Sequence, residues 1–223
     1  MSKSIFSLLL TVCIPYTWVF AQDKLSVSAT FSPAFTHTAY NQFYLFPDSD
    51  GQVVDPVFLD GGKGSFGYSA GVTVYYTYTS GWSVATGLWY HYQAIKTDRL
   101  ALAGAGTTSV HNRGLRIPIL LNYRSSDNKL SPYYSFGPLI DFPLSARVIA
   151  NREGESTQHL RLAAESGPIF SVLLGAGGVY QINSKIALTV QPTFTYHLGR
   201  LGGARTNFRT YELGLQTQLI YTF

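Results

Sequence analysis

The chain has 223 residues, of which only 13% are Asp, Glu, Lys or Arg and 15% are aromatic, where a typical soluble domain carries about 25% charge. Too few charges are present to coat a normal water-facing surface, and the 46% apolar content, without heptad or collagen-like repeats, excludes disorder, coiled coil and collagen. The net charge of +4 is spread along the chain, so no nucleic-acid partner is expected.

The first element is Lys3, an apolar stretch from Ile5 to Phe20 and the small residue Ala21. This layout predicts a secretory signal peptide over 1–21, cleaved before Gln22, with one domain over 22–223. Pro15 interrupts the stretch and no basic cluster follows it, which argues against a retained anchor. Cys13 is the only cysteine and lies inside the peptide, so the mature chain has no disulfide or thiol chemistry. Beyond Gln22 no apolar run approaches the ~18 residues of a membrane helix. An exported, charge-poor chain without such a helix can still live in lipid by closing a β-barrel.

Period-two alternation then dominates. A weak version runs from Leu25 to Phe35. The stretch 36–65 reads as a long loop holding Asp48, Asp50, Asp55 and Asp60; Asp48-Ser49-Asp50-Gly51 resembles half a calcium loop but lacks its ligand series, so no metal is expected. From Phe66 to Tyr78 the even positions are apolar or aromatic and the odd ones mostly small or polar, and after a turn at 79–81 the pattern resumes from Trp82 to Gln93. A loop at 94–112 leads to a strand from Arg113 to Arg124, then a turn at 125–131 and a strand from Pro132 to Leu144. The loop 145–167 is the most charged segment, with Arg147, Arg152, Glu153, Glu155, His159, Arg161 and Glu165. Pro168 to Ile182 is apolar on both faces in places, which leaves its facing open. A turn at 183–185, a strand from Ile186 to His197 and a loop at 198–209 with Arg200, Arg205 and Arg209 follow. In the last strand Tyr211, Leu213, Leu215, Leu219, Tyr221 and Phe223 share a face, with Thr217 and Ile220 out of pattern. Pro118, Pro138, Pro143 and Pro192 fall inside strands, where bulges or earlier strand ends are expected.

The gaps between these eight strands are 30, 3, 19, 7, 23, 3 and 12 residues long. Their alternation predicts an all-β, eight-stranded antiparallel up-and-down transmembrane β-barrel with every long loop at one, extracellular, end. The polar faces carry Gly, Ser, Thr, Ala, Gln and Tyr rather than the Lys and Glu of a soluble barrel, which suits a narrow lumen filled by side chains, with the apolar faces toward lipid. Register follows from the turns: opposed residue numbers sum to 160 around 79–81 and to 368 around 183–185, and both choices keep like faces together. Around 125–131 a sum of 257 places Arg116 opposite Asp141. Arg116, Asp141, Glu212 and Arg124 are the charged residues on lumen positions; an Arg116–Asp141 ion pair is expected, with Glu212 close to Thr195 and His197, because an unpaired interior charge is costly.

Leu115-Arg116-Ile117-Pro118-Ile119-Leu120-Leu121-Asn122-Tyr123 resembles one strand of the PorT-like outer-membrane β-barrel domain family of Bacteroidota, and Pro132-Tyr133-Tyr134-Ser135-Phe136-Gly137-Pro138 resembles the strand that follows it. The resemblance spans nearly the whole mature chain. It implies an eight-stranded barrel in the Gram-negative outer membrane, usually without an assigned activity; the founder's role in secretion and gliding is not carried by fold alone. Tyr221-Thr222-Phe223 is similar to the aromatic-ended last strand read by the barrel assembly machinery.

The function expected is a structural or binding role of a monomer through its extracellular loops, a candidate accessory of protein secretion, with no catalytic residues and no cofactor. Loop 145–167 is the best surface for a protein partner. Outer-membrane lipid is the other partner, with Arg200, Arg205 and Arg209 as candidate contacts to lipopolysaccharide phosphates. Two alternatives remain. A lipid A-modifying enzyme of this size uses a His followed two residues later on its strand by Ser, and none of the five histidines is followed by Ser at that spacing: the residues there are Ala39, Gln93, Arg113, Arg161 and Gly199. A narrow channel would be obstructed by Arg116, Tyr75 and Trp89.

Overall fold

A computed structural model describes residues 24–48, 56–98, 106–152, 154, 156–162, 167–200 and 208–223. The expected signal peptide with Cys13, and Asp50, Asp55, Glu153, Glu155, Glu165 and Arg205, lie outside the described residues. The described residues form ten strands: β1 (Leu25–Leu45), β2 (Pro47–Asp48), β3 (Val57–Thr79), β4 (Trp82–Asp98), β5 (Gly106–Arg124), β6 (Leu130–Arg152), β7 (Gln158–Leu162), β8 (Ile169–Gln181), β9 (Ile186–Gly199) and β10 (Phe208–Thr222). Eight of them close a ring of antiparallel pairs, β1–β3–β4–β5–β6–β8–β9–β10 and back to β1. β7 adds to the far end of β6, and β2 to β7.

The turns set the register. Tyr75 pairs with Ala85, Leu188 with Tyr180 and Arg116 with Asp141, matching the sums of 160, 368 and 257. At the first tight turn Gly81 has φ 77°, a left-handed conformation glycine adopts without steric cost. At the last, the Oδ1 of Asn183 accepts the N–H groups of Lys185 and Ile186, both at 2.8 Å, an Asx turn.

Alternating residues then face opposite sides. Phe66 is 74% exposed on the outer face, beside exposed Val72, Leu88, Phe136, Leu174 and Leu213, while Ser69, Thr73, Gln191 and Gln216 are buried inside. The open facing of the Pro168 to Ile182 segment resolves in β8 with Ser171, Leu173 and Val179 inward and Leu174 and Tyr180 outward. Thr217 and Ile220 keep phase despite their chemistry: Ile220 packs on the lumen residues Tyr133 and Val179.

Two expectations on strand extent are corrected. First, much of the predicted loops is strand. β1 continues ten residues past Phe35 and β6 runs to Arg152, so the described part of 145–167 is largely paired, with Arg147 opposite Arg161. Each edge that extends offers its neighbour a template, so polar stretches follow into the ladder although their own alternation is weak. Second, only Pro143 sits at a register shift. At Pro118, Pro138 and Pro192 the register runs through unchanged, and each proline is missing from the ladder with one neighbour while paired on the other side: Pro118 with Leu139, Pro138 with Val172 and Pro192 with Leu215. A missing N–H costs a local bond on one edge and does not require an extra residue.

The lumen is layered. Nearest the tight turns, Tyr133, Val179, Ala187 and Ile220 pack together, and above them Tyr75, Ala85, Trp89, Leu120, Leu139 and Leu173. Hydrogen bonds between neighbouring strands line this plug: Trp89 Nε1 on β4 donates to Thr73 Oγ1 on β3 at 2.9 Å, and Gln218 Nε2 on β10 to Thr30 Oγ1 on β1 at 3.2 Å. A separate apolar cluster of Tyr40, Val57, Leu59, Ile95, Val110, Val148 and Leu160 lies toward the long-loop end. Between the two sits the ionic layer.

Candidate functional site

Arg116 projects inward from β5 and is 2% exposed. Its cross-strand partner on β6, Asp141, is placed by register: Nε donates to Oδ1 at 2.6 Å and Nη2 to Oδ2 at 3.4 Å, a two-bond fork. Glu212 comes from β10 on another part of the ring, and receives Nη1 at 3.1 Å and Nη2 at 3.3 Å. Nη1 also donates to Ser69 Oγ at 3.4 Å. One guanidinium therefore spans the lumen between two carboxylates, with all five N–H groups engaged.

Two Ser–His pairs flank this layer. Ser69 Oγ and His91 Nδ1 share a 3.0 Å hydrogen bond between β3 and β4, and Ser171 Oγ and His197 Nδ1 share one of 3.1 Å between β8 and β9. Each pair is a direct cross-strand partnership. The signal was present in the sequence, because 69 with 91 sums to 160 and 171 with 197 to 368; a search for His and Ser on one strand misses both. Nε2 of His197 is buried without a hydrogen-bond partner. Glu212 pairs with Thr195 in the ladder but spends its carboxylate on Arg116. The fourth charged lumen residue, Arg124, lies at the tight-turn end, donating to Gln181 Oε1 and to the Asn128 carbonyl.

Above the ionic layer the lumen opens into a cavity of about 480 Å³. Arg116, Asp141, His91 and His197 line its lower part, and Tyr40, Phe43, Leu59, Ile95 and Val110 its upper walls. Arg200 and Arg113 also border it. Arg209 is exposed on the outer face of β10, beyond Tyr211. On β6 and β7, Arg147 and Arg161 are exposed as well. Of the three arginines picked out in the last loop, the structure thus puts Arg209 at the outer rim and Arg200 beside the cavity.

The family model described as outer membrane protein beta-barrel domain matches residues 20–201. No curated protein matches the chain. Among solved structures the chain is similar to Neisserial surface protein A (12% identity, 89% of this chain and 97% of that one, TM-score 0.41). It is also similar to Ail, the attachment invasion locus protein of Yersinia pestis, solved with the heparin analogue sucrose octasulfate (10%, 89% and 99%, TM-score 0.42). A third is the outer membrane protein OprG from Pseudomonas aeruginosa (14%, 91% and 98%, TM-score 0.35).

Proposed function

Because the chain belongs to the outer membrane protein beta-barrel domain family and so resides in the Gram-negative outer membrane, we propose that it is a closed barrel that works by binding at its long-loop, extracellular end. The observation that carries this reading is the plug. From the tight turns to Arg116 the lumen is occupied by buried Tyr133, Tyr75, Trp89 and Leu139, capped by a guanidinium held by two carboxylates. A water-filled path would have to displace a packed core and break a buried ion triad. Catalysis has weaker support, since the His197 ring that holds Ser171 has no acid on its other nitrogen.

The motifs around Ile117-Pro118 and Pro132-Tyr133 favour the PorT-like branch, and with it a monomer serving as an accessory of surface secretion. The paired segments Ala146–Ala150 and Gln158–Leu162 present Arg147, His159 and Arg161 on the exposed side as a surface for a protein partner. Arg209, exposed on the outer face of β10 beyond Tyr211, is the candidate contact to lipopolysaccharide phosphates, for which a guanidinium fork is a match. Planar-bilayer recording tests the plug: the purified protein is expected to pass no steady current, and reproducible ion-sized steps would defeat the closed-lumen reading. A pull-down from native outer membranes with 153–162 present or deleted tests the partner surface, which fails if the same proteins are captured in both.

A further inference from the structure

The cavity above Arg116 falls within the ~300–1,000 Å³ typical of sites for small organic ligands. Its two ends differ in chemistry: Tyr40, Leu59 and Ile95 make apolar walls, while Asp141, His91 and His197 are polar groups at the floor. Charge does not balance there. One guanidinium faces two carboxylates, Asp141 and Glu212, so the ionic layer carries a net negative charge in a buried setting. Arg116 has no N–H left for an anionic ligand, whereas each carboxylate oxygen keeps acceptor capacity. Independently, His197 borders the cavity and its Nε2 is buried without a partner. In the tautomer whose Nδ1–H donates to Ser171, that nitrogen offers a lone pair. Arg113 and Arg200 stand nearer solvent, where salt screens them more than the floor.

We infer that the cavity binds an organic amine with an apolar body, the ammonium seated toward Asp141 and His197 and the body against Tyr40, Leu59 and Ile95. The inference rests on the closed-lumen reading, which makes the ionic layer a floor. The test is calorimetric titration of the full protein in lipid nanodiscs with 4-phenylbutylammonium, 4-phenylbutanol and 4-phenylbutanoate, with empty nanodiscs subtracting partition into lipid. The ammonium is expected to saturate one site and to bind at least about tenfold more tightly than the carboxylate. Asp141→Asn is expected to remove most of that preference while leaving the alcohol within about twofold. Ala146→Phe, which adds bulk at the cavity wall and leaves the floor intact, is expected to weaken the ammonium at least about tenfold and decides the matter if Asp141→Asn does not fold. Absence of saturable binding, equal or tighter binding of the carboxylate, or ammonium affinity unchanged in Ala146→Phe would overturn the inference. Bilayer recording keeps the two readings apart: no binding and no current defeats the ligand site alone, and steady current with selective ammonium binding defeats the closed lumen alone.

Discussion

Arg116 shows how much one interior side chain can hold. Both carboxylates around it are buried, so Arg116→Met strands two negative charges and is expected to cost about 3–5 kcal/mol, measured as a lowered urea midpoint of tryptophan fluorescence in lipid vesicles. The triple variant Arg116→Met, Asp141→Leu, Glu212→Leu removes every charge together, and most of that stability is expected to return, since apolar replacements of buried ion groups are often neutral. If the triple variant proved weaker than the single one, the layer would be a net stabiliser in its own right. The sequence placed all three residues of this cluster on the lumen face but only one of the two ion pairs between them. Asp141 was legible because it sits on the adjacent strand and a single odd sum places it opposite Arg116. Glu212 reaches the same guanidinium across the lumen from β10, 96 positions away. No nearest-neighbour register predicts that contact, because it depends on the bore of the closed ring.

At the scale of strands, tight turns were legible and strand ends at the opposite rim were not. A turn of two or three residues leaves little choice of register, whereas the rim strands extend because a neighbour is there to pair with. Prolines follow the same logic. Pro118 loses its ladder with β4 but keeps Leu139 on β6, so Pro118→Val is expected to change stability by less than ~1 kcal/mol, in either direction. Gly81→Val should behave differently, because a branched side chain is forced to φ 77° with its Cβ 2.5 Å from the Arg124 carbonyl oxygen; a loss of roughly 2 kcal/mol or more is expected from the same vesicle titration. β2 and β7 lie outside the closed ring. Deleting residues 158–162 is therefore expected to leave a barrel that still migrates faster on a gel before boiling than after it; loss of that shift would make β7 part of the fold's foundation.

For the molecule as a whole, the low charge content that opened the sequence is a property of one surface. The outer faces from Leu25 to Phe35, Trp82 to Tyr92 and Tyr211 to Tyr221 form a band of roughly eleven residues per strand, the span a tilted strand needs to cross hydrocarbon. Leu213→Arg places a cation within that band and is expected to cost ~2–4 kcal/mol if the site is at mid-depth, falling toward ~1 kcal/mol near an interface. The ring is completed where β1 meets β10, and there Ser26 bonds Thr222 at 2.9 Å across 196 positions of chain. Joining ends that far apart carries a chain-entropy cost of about 5 kcal/mol. Until they join, β1 and β10 each present a row of bare N–H and C=O groups, and every such group stranded in hydrocarbon costs several kcal/mol. A half-built sheet is thus at home in neither water nor lipid, so the order of events in the birth of this protein is constrained: the last strand must find the first as the chain enters the bilayer, and insertion and ring closure become a single step.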